Sequence, residues 1–157
     1  MIQGLYETHL FVENLERSKD FDQNTLGLEF ASYDSRTACF FWIGENKKNM
    51  LGLWQKPKEE IDIRHSAFQV SEEFILNEAS QFLKAKGLKP YNFLKDGTQL
   101  PTVFCRMPSL SIYFRDPDGH SLEFIALLKE DAHPEWGVLT YNDWQEKLKK
   151  LSDSETI

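Results

Sequence analysis

Two stretches of this chain run through the same succession of folding signals, and that repetition limits the architecture more than any other feature. The first stretch opens with GLYETHLFV (4–12), which reads as a strand. Asn14 is placed to cap a helix over 15–26, and Gly27 falls just past its end, where a positive φ is needed. Three short strands follow: LEFASYD (28–34), TACFFWIG (37–44) and NMLGLWQ (49–55). After the charged, proline-containing linker KPKEEIDIR (56–64), the pattern restarts with HSAFQV (65–70). Ser71 can cap a helix whose apolar residues Ile75, Ala79, Phe82 and Leu83 keep a helical period, and Gly87 ends it. KPYNFLK and a turn-rich segment around Gly97, Pro101 and Pro108 lead into SIYFRDPDGHSLEFIALL (111–128). There two strands flank Asp116-Pro117-Asp118-Gly119, with Pro and Gly at the positions a type I turn favours. The order β-α-β-β-β therefore occurs twice, and the fold class is α+β.

The tail, 129–157, breaks the pattern. Trp144, Leu148 and Leu151 are spaced for an amphipathic helix behind Asn142 as cap, packed on the body or on a second subunit. The final SDSETI is expected to fray. A chain of 157 residues suits one domain, 1–157, with module 1 at about 1–56 and module 2 at about 64–128.

One residue in the second stretch demands an explanation. Glu123 sits between Leu122 and Phe124 in an apolar strand, where burial is expected. A buried carboxylate needs a cation, several donors or a metal. The repeat suggests where to look, because each half opens with a strand histidine, His9 and His65. Aligning Phe40-Phe41 with Tyr113-Phe114 puts the first-half counterpart of Glu123 near Gly52. Four related positions are then expected to converge: His9, Gly52, His65 and Glu123. Two imidazoles and a carboxylate without sulfur suit a catalytic transition-metal site with open coordination positions. A lone strand histidine is more often a core or edge residue, and a lone strand glutamate usually faces water. Spacing and topology alone leave both readings open.

The remaining features mostly exclude. A formal net charge of −7 argues against nonspecific binding to nucleic acid or anionic membranes. The two cysteines, Cys39 and Cys105, lie far apart and read as reduced structural thiols of a cytosolic protein. No signal peptide is evident at the N-terminus, and no run approaches the roughly 18 apolar residues of a membrane span. His120, after the turn, reads as a surface residue, and His133, before Pro134, as exposed. Neither makes a convincing proton shuttle.

HLFVENLERSKDF…LGLEF, HSAFQV and IYFRDPDGHSLEFI together resemble the vicinal oxygen chelate superfamily over roughly 4–128. This group contains glyoxalase I, the fosfomycin-resistance thiol transferases, extradiol dioxygenases and bleomycin-binding proteins. The aromatic strand, DPDG turn and L-E strand are the most specific match. The resemblance implies paired βαβββ modules forming a cup-shaped mixed sheet, with a C-terminal helix added here. It implies His9, His65 and Glu123 as ligands to a divalent ion, whether manganese, iron, nickel, cobalt or zinc. It also implies a small-molecule substrate and a homodimer.

Departures from the family's branches shape the functional expectation. Glyoxalase I usually carries a carboxylate where this chain has Gly52, with Gln55 on a less favoured register, so its isomerisation is in doubt. The three-ligand set looks more like the fosfomycin-resistance branch, and Tyr113 matches a pocket tyrosine there. That branch has basic residues soon after its glutamate strand, where this chain offers Lys129, and Arg106 and Arg115 are the other candidate cations. Arg115 beside Asp116 reads more simply as a surface ion pair. Extradiol dioxygenases are usually longer and use a further pocket histidine. Asp22, where the family commonly has an aromatic residue, reads as a local surface change. Phe41, Trp42, Trp54 and Tyr113 are candidate pocket walls. The leading expectation is a metal-dependent, glyoxalase-like or thiol-transferring enzyme acting on a small oxygen-rich molecule, with no general base identifiable. The alternative is a metal-free drug-sequestering protein of the same fold.

Overall fold

In the computed structural model, which describes residues 1–154, the chain forms two compact units. The first comprises Met1–Arg64 with Asp116–His120, and the second the remainder. Each unit contains one mixed sheet and its own helices, as the repeated order predicts.

The first unit holds β1 (Glu7–Val12), α1 (Leu15–Asp20), β2 (Glu29–Ser35), β3 (Ala38–Ile43) and β4 (Asn49–Gln55). Its sheet order is β1-β4-β3-β2, with β1 parallel to β4 and the other pairs antiparallel. Side chains alternate along each strand. Leu10, Val12, Cys39, Phe41, Leu51 and Leu53 are thereby buried on one face, which α1 covers with Leu15, while Phe21 just past its end is buried too. Glu7 and His9 project from the other face. Asn14 caps α1 as expected, its Oδ1 accepting the Arg17 N–H at 3.0 Å. Gln55 Oε1 accepts the Leu15 N–H at 3.4 Å, so this residue serves the helix start.

The expected helix over 15–26 changes character at Phe21, where Phe21–Thr25 forms a π turn closed by Leu26 N–H to Phe21 C=O at 3.1 Å. This wider turn directs two successive residues inward. Phe21 is 8% exposed and Asp22 4%. Asp22 is therefore no surface substitution. Burial, and then the charge of Asp116, push its carboxyl up to about 8, and its Oδ2 has no partner among the described residues.

The turn between the last two strands of the repeat packs into this first unit. Asp118 Oδ1 accepts the Glu13 N–H at 3.0 Å and Arg17 Nη2 at 2.7 Å, while Oδ2 accepts the Ser18 hydroxyl at 2.9 Å. Gly119 adopts φ 90°, which a residue with a Cβ rarely tolerates. His120 departs from the surface role expected of it: it is fully buried. Its Nδ1 accepts the Arg64 N–H at 3.0 Å, so Nε2 carries the hydrogen and donates it to the Phe11 carbonyl at 2.7 Å.

The second unit holds β5 (His65–Gln69), α2 (Glu72–Asn77), α3 (Ala79–Ala85), β6 (Thr102–Phe104), β7 (Ser109–Arg115), β8 (Ser121–Leu127), β9 (Val138–Thr140) and α4 (Tyr141–Ser154). Its order is β5-β8-β7-β6-β9, again with the first pair parallel. Ser71 caps α2 through its hydroxyl, and the expected single helix is interrupted at Glu78. Ile75 and Leu83 are buried, and Phe74 and Phe82 meet Phe124 of β8 at 5.5 and 6.3 Å between ring centres. The tail adds β9, which the sequence did not signal. Thr140, rather than Asn142, caps α4, its hydroxyl accepting the Asp143 N–H at 3.2 Å. Trp144 is fully buried against Trp136. His133 is only partly exposed, stacked on Trp136 at 3.9 Å. Ser152–Ser154, expected to fray, are helical, and 155–157 lie outside the described residues.

Both cysteines are buried and free, and burial pushes the Cys39 thiol up to about 11. Among the described residues, no helix is long and apolar enough to cross a membrane.

The buried acid predicts a pH dependence. Asp22 has a folded pKa of about 8 against an ordinary 3.8, so the stability it contributes is fully present below about pH 4 and is lost as pH rises through about 8. Asp22→Asn stays neutral throughout. Urea midpoints of the wild type are expected to fall behind those of Asp22→Asn progressively across that window. A gap that stays constant with pH would refute this account.

Candidate functional site

The buried acid at 123 finds its partners through strand register. On β8, Glu123 lies opposite Ala67 of β5 and Tyr113 of β7, while His65 lies opposite Ser121 and Ser111 opposite Ile125. Because faces alternate every residue, His65, Glu123, Tyr113 and Ser111 all project to one side. Glu123 is 4% exposed. Its Oε1 accepts the Ser111 hydroxyl and, at 3.1 Å, the Tyr113 hydroxyl, and its Oε2 lies 3.0 Å from His65 Nε2. Burial, followed by the Glu123 charge, drives the Tyr113 phenol well above its ordinary range, so it remains a proton donor. The sequence reading missed Ser111. Its signal was the alternation Ser109, Ser111, Tyr113 along β7, which puts these polar groups on the acid's face. Thr102 Oγ1 and Ser109 Oγ, also on this face, have no partner among the described residues.

The His65 ring carries further information. Its Nδ1 lies 3.1 Å from the Ser121 carbonyl, which can only accept. Its Nε2 faces a carboxylate oxygen, which also accepts when ionised. A neutral imidazole has a single N–H and cannot satisfy both. The contact between Nε2 and Oε2 therefore calls for a shared positive species, either a second proton or a metal ion. An imidazole that gives its other N–H to a backbone carbonyl is the usual arrangement for a metal ligand.

In the first unit, His9 and Glu7 share the face opposite the core. His9 Nε2 lies 3.4 Å from Glu7 Oε1, and both side chains are substantially exposed. His9 is opposite Gly52, as is Phe40. The space over Gly52 is occupied by neighbouring rings. A Cβ there would stand 2.7 Å from His9 Cδ2 and 2.8 Å from Phe40 Cε1. Trp54 borders the same ring at 5.5 Å, and its buried Nε1 has no partner among the described residues. Phe41, offered as a pocket wall, belongs to the core on the other face, while Phe40 and Trp42 share the face of His9. Among the described residues, no three His, Cys, Asp or Glu side chains are grouped as a ready metal site.

Beside Tyr113, in the second unit, Tyr91 stacks at 5.6 Å and hydrogen bonds to Ser121 Oγ at 2.9 Å. The Arg115 guanidinium lies 5.6 Å over the Tyr91 ring. A cleft of about 480 Å³ opens here, lined by Tyr91, Lys95, Thr98, Gln99 and Arg115 among others. Its loop is folded around the buried Asn92, whose amide donates to Asp96, Thr98 and the Leu100 carbonyl. Two cations, Lys95 and Arg115, border this cleft.

The family model described as Glyoxalase/Bleomycin resistance protein/Dioxygenase superfamily matches residues 4–124. The chain belongs to this superfamily. Among superfamily relatives, the metallothiol transferase FosB of Lysinibacillus sphaericus (strain C3-41) is 29% identical over 132 residues, spanning 78% of this chain and 82% of that protein. An integron cassette protein from the mobile metagenome of Halifax Harbour sewage outfall superposes with a TM-score of 0.66 at 32% identity, covering 80% of this chain and 100% of that one. The fosfomycin resistance protein FosX of Listeria monocytogenes, crystallised with Mn(II) and sulfate, superposes at 0.61 with 28% identity, covering 83% and 94% of the two chains.

The donors around Glu123 make a direct prediction. Tyr113→Phe removes one hydroxyl from a buried carboxylate and is expected to lower unfolding free energy by about 1–3 kcal/mol, measured by urea denaturation. A change within error would mean that the phenol does not support the acid.

Proposed function

We propose that this chain is a divalent-metal-dependent enzyme acting on a small oxygen-rich anion, with transfer of a thiol to a phosphonate-bearing substrate as the first chemistry to test. The observation that supports it most is the His65–Glu123 contact, in which Nε2 of a half-exposed imidazole stands 3.0 Å from a buried carboxylate oxygen while its Nδ1 faces a backbone carbonyl. In this reading His65 and Glu123 hold the ion, and His9, the third ligand that the family resemblance implies, is to be tested by its own substitution. The donor set fits, since imidazole and carboxylate suit manganese, iron, nickel, cobalt and zinc alike. A bound divalent ion would supply a positive charge to stabilise an oxyanion as it develops on the substrate.

The protein's own residues divide the remaining work. Ser111 and Tyr113 aim the Glu123 carboxylate. The backbone carbonyl of Ser121 fixes the tautomer and tilt of His65. Arg115 and Lys95 offer positive charge to an anionic substrate group. The names of FosB and of the manganese-bound FosX make the metal and the phosphonate worth testing together. A homodimer goes with this reading, as the family resemblance suggests.

Metal-stripped protein titrated with Mn2+ by calorimetry is expected to bind the ion stoichiometrically. His65→Ala and Glu123→Gln should each weaken binding by about 100-fold or more, beyond the roughly 10–100-fold typical of outer-shell losses. With Mn2+, fosfomycin and a low-molecular-weight thiol, mass spectrometry should show a thiol adduct. A wild-type protein that binds no divalent ion would favour the metal-free binding protein instead.

A further inference from the structure

The two sheets allow the halves to be aligned through hydrogen-bonded register, a finer ruler than sequence spacing. In the second unit, Glu123 faces Tyr113 of β7 on one side and Ala67 of β5 on the other. In the first unit, Gly52 faces Phe40 of β3 and His9 of β1. Matching Gly52 with Glu123 through their third-strand partners thus matches His9 with Ala67, and Glu7 with His65. The strand ends agree independently. Glu7 opens β1 as His65 opens β5. The histidines at 9 and 65 are therefore two residues out of register.

We infer that Glu7, not His9, fills the ligand position equivalent to His65, and that the first half presents its own imidazole–carboxylate pair with both donors on β1. In the second half an imidazole stands on the first strand and a carboxylate on the fourth. In the first half the carboxylate stands on the first strand, and the fourth carries Gly52. The His9 ring lies over that glycine, in the space where a side chain at 52 would begin. His9 Nε2 and Glu7 Oε1 are 3.4 Å apart, against 3.0 Å for His65 and Glu123. The absent Cβ at 52 is what admits the ring: alanine there would meet His9 and Phe40 below van der Waals contact. Trp54 Nε1, buried beside His9 and without a partner among the described residues, marks this face as one with unmet polar capacity.

This inference rests on the metal-binding reading and sharpens it. The first-strand ligand position of the first half then carries a carboxylate, with an imidazole two residues along, in place of a lone imidazole. A set richer in carboxylate favours harder ions such as Mn(II).

The test uses the full-length protein and Mn2+ affinity, read by calorimetry and by the electron paramagnetic resonance of free Mn2+. Glu7→Gln keeps the shape and removes the charge; it is expected to weaken Mn2+ by about 100-fold or more, as Glu123→Gln does, beyond outer-shell effects. Glu7→His, which restores a ligand at the position equivalent to His65, should recover most of the affinity. Gly52→Ala, which displaces the His9 ring and leaves Glu7 alone, should cost about 10-fold. If Glu7→Gln binds like wild type while Glu123→Gln does not, the inference is overturned and the metal reading stands. If His9→Gln is as damaging as Glu123→Gln and Glu7→Gln is silent, the equivalent position belongs to His9. If the wild type binds no Mn2+, both the inference and the reading fall.

Discussion

Register between neighbouring strands is the constraint on which the site depends. Side chains alternate faces, so a shift of one residue in the β5–β8 or β7–β8 pairing would move Glu123 from a wall of donors into an apolar core. Ser111, Tyr113 and His65 belong to two different strands, and only fixed hydrogen bonding brings them to one carboxylate. The opposite faces of the same strands carry Leu110, Ile112, Phe114, Leu122 and Phe124, which are buried. Those apolar side chains hold the register, because slipping would expose all of them together. The polar cluster is thus positioned by the hydrophobic packing behind it.

Much of this was legible in the sequence. Helix caps at Asn14 and Ser71, the glycines at 27 and 87, and the DPDG turn placed the helices and the last hairpin to within a residue or two, whereas KPYNFLK carries only an isolated bridge at Tyr91 and the strand β6 forms further on, at Thr102–Phe104. The strand NMLGLWQ has the bounds expected for it. The oddity of Glu123 pointed to a site, and the structure shows the acid buried and multiply hydrogen bonded. What could not be read were features set by contacts distant in sequence. Nothing local to His120 announces that Arg64 and Phe11 will enclose it. Nothing local to Asp22 shows that a π turn will bury it. The strand β9 forms because β6 offers an edge, which a linear pattern does not reveal.

The histidines show a subtler limit. Sequence spacing pairs His9 with His65 because both open their halves with the same residue type. Hydrogen-bond register pairs residues by position, and by that measure Glu7 is the partner of His65. Duplicated folds keep geometry better than they keep residue identity, so chemistry can move between equivalent strands. Here a carboxylate stands at the first-strand position that an imidazole holds in the other half, and a histidine two residues along packs its ring over a glycine.

The hairpin turn at Asp116–His120 has a consequence for the order in which the molecule is made. Its acceptors and donors satisfy the backbone of Glu13 and Arg64, the carbonyl of Phe11 and the side chains of Arg17 and Ser18. All of these leave the ribosome long before residue 120 does. The amino-terminal sheet can assemble early, yet its start of helix and its exit strand wait for a clasp synthesised near the carboxyl end. Completion of the earliest part of the chain is thereby tied to the arrival of one of the latest, which couples translation to cooperative closure of the fold.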